Sequence, residues 1–455
     1  MKWPEPQRTA TARRMLICVV TGFSSGLPLF LLLNLVPAWL RSAEVDLKAI
    51  GLLAIVQLPY TWKFLWSPLV DRFALGRLGR RRSWMLATQI GLLGVIAWLG
   101  SATTAGLVAP EVEWHVLVAG WLSYPAFDWP AWVAFSSHPV TVLAFATVLC
   151  SATQDIALDA YRRELLLEEE LGLGNSIHVT TYRVSQLIPG SLSLILSDHL
   201  SWPLVFMITA LFMLPGLVLT LLISEPENSE LAPTTLRAAA IEPLREFINR
   251  SGWRQAAWIL AFMFFYKLGD SLCTALATPF YLDLGYSKTE IGVVAKYAGL
   301  GASIGGGLLG GLWMLRLGIS RALWVFGVIQ MVSILGFAWL AASGGAGGHD
   351  GIAADAMLRW VRLAGVVGLE AFGVGVGTAA FVAFIATQTN PAYTATQLAL
   401  FTSFMAIPRS LVNASAGYLI DALGWTQFYL LCFALAVPGM LMLLKVAPWS
   451  SAKSD

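Results

Sequence analysis

The chain has 455 residues, 57% of them hydrophobic and only 12% charged, with 19 Trp and 23 Phe. A soluble protein of this length carries roughly a quarter charged residues, so a soluble globular fold is excluded. The formal charge of +2 resides in short loops beside apolar runs, where Lys and Arg set membrane topology, and no basic patch with interleaved aromatics marks a nucleic-acid partner.

Apolar runs of roughly 20 residues, enough to cross a bilayer, recur from Met15 to Val446, twelve in all. They predict an all-α integral membrane protein whose first run is retained as a span. The four cysteines, Cys18, Cys150, Cys273 and Cys432, are scattered through these runs without metal-ligand spacing, so free thiols and no metal or cofactor are expected.

The first helix, Met15–Leu40, holds the small-residue stretch Gly22–Pro28 and then Asn34 and Pro37. Such a helix packs closely against neighbours or lines a cavity. The second, Leu47–Leu69, contains Lys63, which either snorkels to the interface or meets an anionic substrate group. A loop with Asp71, Arg72, Arg77, Arg80, Arg81 and Arg82 follows and belongs on the cytoplasmic side. The third helix spans Trp84–Gly100. The segment 101–138 lacks Lys and Arg, is dense in Trp, and is placed on the outer side, in the headgroup layer or as a re-entrant hairpin.

The fourth helix, Pro139–Tyr161, carries the residues around which the chain is organised. Ser151, Asp155 and Asp159 recur at i, i+4 and i+8 and stack on one face with Gln154 on its flank. Two carboxylates inside a membrane must face protein or a water-filled cavity, and one of them holds a proton or pairs with a cation such as Arg162, Arg163 or Arg183. A structural ion pair at the helix end is the competing reading. The fifth helix, Ser176–Leu196, opens with an interfacial His178, then Tyr182 and Arg183; antiparallel to the fourth, it offers Arg183 to Asp159 or to a bound anion. The sixth, Trp202–Ile223, is apolar scaffold. A Pro- and Arg-containing linker with one amphipathic stretch follows.

Segments of the second half echo the first. Ile50-Gly51 recurs as Ile291-Gly292, the Arg-rich loop as Arg316, Gly318 and Arg321, and Ser-Asp around Asp198 as Ile-Asp around Asp421. Such internal symmetry marks transporters built from repeated helix bundles. The expected units are residues 1–224, a cytoplasmic linker 225–252 and residues 253–455. The second bundle runs through Trp253–Leu284 with Lys267 and Asp270, which could neutralise each other, then Lys288–Leu315 with Lys296 and a glycine run, then Ala322–Ala342 with Gln330. Leu358–Thr389 holds Glu370 and Gly373–Phe381, Thr394–Leu419 holds Gln397, Arg409 and Asn413, and Trp425–Val446 closes the set.

The Asp71-Arg72 pair followed by Gly79, Arg80 and Arg81 resembles the loop signature of the major facilitator superfamily. The stretches GFSSGLP, KFLWSPLVDR, ATQDIALDAYR, YKLGD, GLEAFGVGVGTAAFVA and ATQLAL are similar to those of AmpG-type muropeptide permeases, over nearly the whole chain. The resemblance implies two six-helix bundles related by pseudo-two-fold symmetry and the import of N-acetylglucosaminyl-anhydro-N-acetylmuramyl peptides for cell-wall recycling. The energy source would be the proton gradient across the bacterial inner membrane, with both termini cytoplasmic and a monomeric, non-enzymatic protein. In this expectation Asp155 takes the proton, with Asp159, Asp270 and Glu370 as alternates. Lys63, Arg183, Lys267 and Arg409 meet substrate carboxylates; Gln154, Tyr182 and Gln397 meet sugar hydroxyls; Gly26 and Asn34 complete the binding set. Asp71, Arg72, Arg80, Arg81 and Arg316 form the conformational switch. Another amphiphilic anion, such as a siderophore or a coenzyme A thioester, is the alternative substrate, and a non-transporting assembly factor the alternative class.

Overall fold

The computed structural model describes residues 5–110, 129–167, 170–225, 242–343, 353–388, 401, 404 and 408–449, and every regular element among them is helical. Large apolar side chains at the periphery, among them Trp98, Leu222, Leu308 and Leu441, are exposed, whereas Ser24, Gln89, Gln154, Thr209 and Thr220 are buried. That inversion of the soluble pattern is what a hydrocarbon solvent selects: apolar groups cost nothing facing lipid, and polar groups need partners inside.

Among the described residues, nine helical stretches are long and apolar enough to cross a bilayer. In the first half, α1 (Ala10–Ser42), α3 (Arg80–Leu99), α4 (Pro139–Leu165) and α6 (Trp202–Leu222) qualify as they stand. The second and fifth spans, expected at Leu47–Leu69 and Ser176–Leu196, are broken into shorter segments. α2 (47–72) proceeds through Leu47–Leu52, Leu53–Gln57, Leu58–Trp62, Lys63–Leu65 and Ser67–Arg72, with Pro59 and Pro68 each opening a new helical segment. α5 (171–196) runs Leu171–Val184, then a π-turn Ile188–Leu192 containing Pro189, then Ser193–Leu196.

In the second half, α7 (Trp253–Asp283) is interrupted at Lys267 and Leu276. α8 (288–317), α9 (Ile319–Ala342) and α10 (Ala353–Thr387) follow. The last stretch is one continuous helical run, Ala416–Val446, except at Gly424, whose φ of 74° and ψ of 165° turn the chain and separate α11 (408–423) from α12 (425–446). The third and ninth spans begin at Arg80 and Ile319, before the residues the hydropathy pattern suggested. Both start directly after a glycine of positive φ, Gly79 at 100° and Gly318 at 72°, repeat-related N-caps that a side chain would strain.

Small residues set how closely the helices pass. A Cβ on Gly22 or Gly26 would overlap α5 at the His178 and Tyr182 carbonyls. The glycine runs of α8 and α10 interlock: Gly306 faces the Phe372 backbone, Gly310 faces Val376, and Gly375 faces Ser303. This is close packing of small residues, which in lipid does the work that hydrophobic burial does in water. The repeated Ile-Gly pairs acquire a meaning here. A Cβ on Gly51 would lie 2.8 Å from the Gly417 nitrogen of α11, and one on Gly292 would lie 3.0 Å from the Ser191 oxygen of α5. Each pair therefore lets a helix of one half cross a helix of the other.

Candidate functional site: charged groups along the seam between the halves

At the end of the molecule opposite the arginine-rich loop, the halves are tied by charge. Arg41 Nε lies 2.6 Å from Asp283 Oδ1, joining the last turns of α1 and α7. Lys48 at the start of α2 pairs with Asp421 at the end of α11 at 2.9 Å, and Lys288 at the start of α8 with Asp198 just past α5 at 3.5 Å. The Thr289 backbone N–H and hydroxyl also donate to Asp198, at 3.0 and 2.6 Å. The two Lys–Asp pairs occupy repeat-related positions, so each half gives one base and one acid.

At the arginine end, the side-chain pairs among the described residues stay within a half. Arg81 Nη2 lies 2.8 Å and Arg80 Nη2 3.6 Å from Glu164 at the end of α4. Glu225 accepts from the Arg81 and Arg82 backbone N–H groups at 2.6 and 3.1 Å, a carboxylate set on the N-terminus of α3. Arg14 clamps Glu170 at 2.6 Å, which holds the Glu170 carboxyl below its ordinary value. In the second half Arg250 reaches the Gln388 carbonyl at 2.6 Å. Of the residues expected to form the conformational switch, Arg316 is exposed at the end of α8, and the side chains of Asp71 and Arg72 lie outside the described residues.

Between the two ends the first half presents one patch. α2 and α4 run in parallel there: Tyr60 donates to Ser151 at 2.8 Å, the Trp66 indole donates to Thr153 at 3.1 Å, and Lys63 faces Asp155 in the same register. Ser25 of α1 donates to Asp155 Oδ1 at 2.5 Å. Asp155 is thus fixed by a hydroxyl and faced by an ammonium. Asp159, one turn on, is half-exposed and pairs with Arg162 of its own helix at 2.9 Å, one of the cations weighed from the sequence, while Arg183 Nη1 lies 4.0 Å from the place of a Gly307 Cβ. His178 is buried where the glycine face of α1 passes over it.

Gln154 is fully buried and gives its amide nitrogen to the Ser24 carbonyl and hydroxyl, both at 3.2 Å. It belongs to the interior of the first bundle in this state, as does Gly26, which serves helix packing. Tyr182 packs edge-on against Phe30 with ring centroids 5.5 Å apart.

The second half has its own cluster. Lys267, at the break in α7, donates to Asp270 at 3.4 Å, to Gln330 at 3.1 Å and to Thr378 at 3.0 Å. Glu370 is buried on α10 facing Asp270 and Lys267, and its Oε1 has no hydrogen-bond partner among the described residues. Two carboxyl groups and one ammonium meet there, so a single proton makes the group neutral. Gln397 and the Arg409 side chain lie outside the described residues. Sequence reasoning named Gln330 without giving it a role and did not single out Ser25 or Thr378, neutral groups whose role appears only with the charges they hold.

The arrangement defines a membrane transporter of the major facilitator fold: two repeat-related bundles with titratable groups on either side of a seam closed at one end. Residues 112–354 match the Major Facilitator Superfamily family model, and residues 14–198 match that of Acetyl-coenzyme A transporter 1. An uncharacterized protein of Haemophilus influenzae is 46% identical over 96% of this chain and 95% of its own length. The anhydromuropeptide permease of Escherichia coli K12 is 38% identical over 95% of this chain and 79% of its own. Among solved structures, a D-xylose–proton symporter superposes with a TM-score of 0.68 at 13% identity, over 97% of this chain and 99% of that one. The chain belongs to the AmpG-type permeases of the major facilitator superfamily.

Proposed function

We propose that the protein imports anhydromuropeptides, N-acetylglucosaminyl-anhydro-N-acetylmuramic acid and its peptides, across the bacterial inner membrane in symport with protons. The substrate comes from the 38% identical permease that bears it in its name. The observation that carries the mechanism is Asp155, a carboxylate inside the first bundle held by Ser25 and faced by Lys63. With the arginine-rich loop on the cytoplasmic side, both termini are cytoplasmic, and the ion-paired end is the periplasmic one. On this reading the protein works as a monomer, closed toward the periplasm.

The bundles 1–224 and 253–455, joined through 225–252, would rock about the seam. In the outward-facing state Asp155 takes a proton from the periplasm, and its neutral form lowers the cost of closing a desolvated cleft around the substrate. On the cytoplasmic side Lys63 favours the ionised carboxylate and so release of the proton. The Lys267–Asp270–Glu370 cluster carries the alternate proton position. Arg80 and Arg81, held on Glu164, steady the inner rim while the cleft is open.

Uptake of labelled anhydromuropeptide into proteoliposomes, with and without an inward proton gradient, tests this reading. Wild type accumulates substrate only with the gradient; Asp155→Asn equilibrates substrate but does not concentrate it. Accumulation by Asp155→Asn equal to wild type refutes the role of Asp155. Absence of any uptake by folded wild type refutes the substrate.

A further inference from the structure

Of the cations within the spans, Lys63 faces Asp155, and Lys267 is shared between Asp270 and Glu370. Lys296 is different. It stands roughly 12 Å along α8 from Lys288, and its ammonium donates to Asn34 Oδ1 of α1 at 2.6 Å and to Thr278 Oγ1 of α7 at 3.5 Å. Both acceptors are neutral, and among the described residues Lys296 enters no ion pair. Lys296 is half-buried, and an ammonium drawn partly out of water without a countercharge is costly, so a membrane protein that places one there has a use for an arriving anion.

The local backbone is built around this group. Three π-turns meet at it: Leu31–Leu35 of α1, which contains Asn34; Ile188–Leu192 of α5, which contains Gly190; and Ile291–Ala295 of α8, which ends at Lys296. A π-turn adds one residue to a helical turn and re-aims the side chains beside it, and such turns gather at functional sites. Gly190 leaves the room required, since a Cβ there would lie 3.4 Å from both the Asn34 amide and Lys296 Cδ. Asn34 donates its own Nδ2 to the Phe30 carbonyl at 3.0 Å, so its Oδ1 is presented to the ammonium in one orientation. The link crosses the seam, from the first half to the second. A ligand lying between the halves at this depth exchanges with it.

We infer that Lys296 is the receptor for a substrate carboxylate, and that Asn34 Oδ1 occupies the place of a carboxylate oxygen while the site waits. The inference rests on the muropeptide reading above and names the group recognised: the lactyl carboxylate of the anhydromuramyl unit, or its amide-linked extension through the first peptide carboxylate. Because the receptor is on one half and its neutral stand-in on the other, binding loosens one inter-half bond as it forms a stronger, charge-assisted one.

The test is affinity, measured by calorimetry on the full chain in detergent, for N-acetylglucosaminyl-anhydro-N-acetylmuramic acid and for its methyl ester. Wild type should prefer the acid by about 10- to 100-fold, the range of a charge-assisted hydrogen bond. Lys296→Gln, which keeps hydrogen-bonding capacity, should bind both with the affinity of the ester, and Lys296→Arg should recover part of the preference. Asn34→Asp supplies a resident carboxylate, and should weaken the acid while leaving the ester unchanged, an outcome that a packing role for Asn34 does not give. Size-exclusion profiles and thermal unfolding establish that each variant is folded. If Lys296→Gln retains the acid preference, the receptor assignment is wrong and the substrate reading stands. If folded wild type binds neither compound, the substrate reading is wrong and this assignment falls with it.

Discussion

The inter-half glycine crossing gives a conformational equilibrium that one methyl group can move. In Gly51→Ala the new Cβ would lie 2.8 Å from the Gly417 backbone nitrogen, and backbone cannot rotate aside as a side chain can. Overpacking of this kind costs about 1–3 kcal/mol, and the cost falls only on the state in which α2 and α11 touch. At 1.4 kcal/mol per factor of ten, the closed, ion-paired end loses roughly 5- to 150-fold in population to a state in which the helices part. Spin labels at Ala43 and Leu284, beside the ends of α1 and α7, report the change by pulsed dipolar spectroscopy: a longer distance should gain population in Gly51→Ala. Gly94→Ala is the control, since no atom lies within 4 Å of its Cβ position. An unchanged distance distribution in a folded Gly51→Ala protein would refute the idea that this crossing closes the rim.

Two further outcomes follow from the charge networks. Lys267→Met leaves the buried Asp270 and Glu370 carboxyls without their cation, and should lower stability by about 3–5 kcal/mol; adding Asp270→Asn should restore much of it, as a thermal-unfolding double-mutant cycle would read. Glu170 has a carboxyl held below its ordinary value chiefly by the hydrogen bond from Arg14, so its stabilisation is whole above the ordinary carboxylate range and is lost as pH falls through the lowered value. The difference in unfolding temperature between wild type and Glu170→Gln should therefore be constant at neutral pH and vanish in acid.

Much of this architecture was legible because hydropathy records length and lipid exposure directly. The spans of α1, α3, α4 and α6 follow from the pattern alone, although α1 carries a π-turn at Leu31–Leu35 and α6 a turn between Leu211 and Leu214. The breaks in α2, α5 and α7 were not legible as breaks: a proline within an apolar run marks either a kink or a new segment, and which one results depends on the neighbouring helices. Asp155 stood out because a carboxylate in an apolar run has few explanations. Its partner did not, since Ser25 is one of many small residues on α1 and becomes distinctive only when α4 passes 2.5 Å away. Gln154 illustrates the reverse. Its place beside Asp155 in sequence suggested a shared cavity, but one residue on a helix is about 100° of rotation, enough to carry Gln154 into the bundle against Ser24. Lys296 was visible as a charge in a glycine-rich span, and its lack of a countercharge could be seen only from the fold.

The reciprocal Lys–Asp pairs at the ion-paired rim make the contact between the halves sensitive to dissolved salt. The side chains of Lys48 and Asp421 are 30% and 57% exposed, and those of Lys288 and Asp198 are 22% and 27% exposed, so all four feel dissolved ions. At 0.15 M salt the screening length is about 8 Å, and at 1 M about 3 Å. Rising ionic strength weakens both pairs together, and because they sit at repeat-related positions the rim loosens evenly on its two sides instead of hinging about one. A rise in ionic strength alone, without any ligand, sensor domain or covalent modification, should therefore loosen this rim.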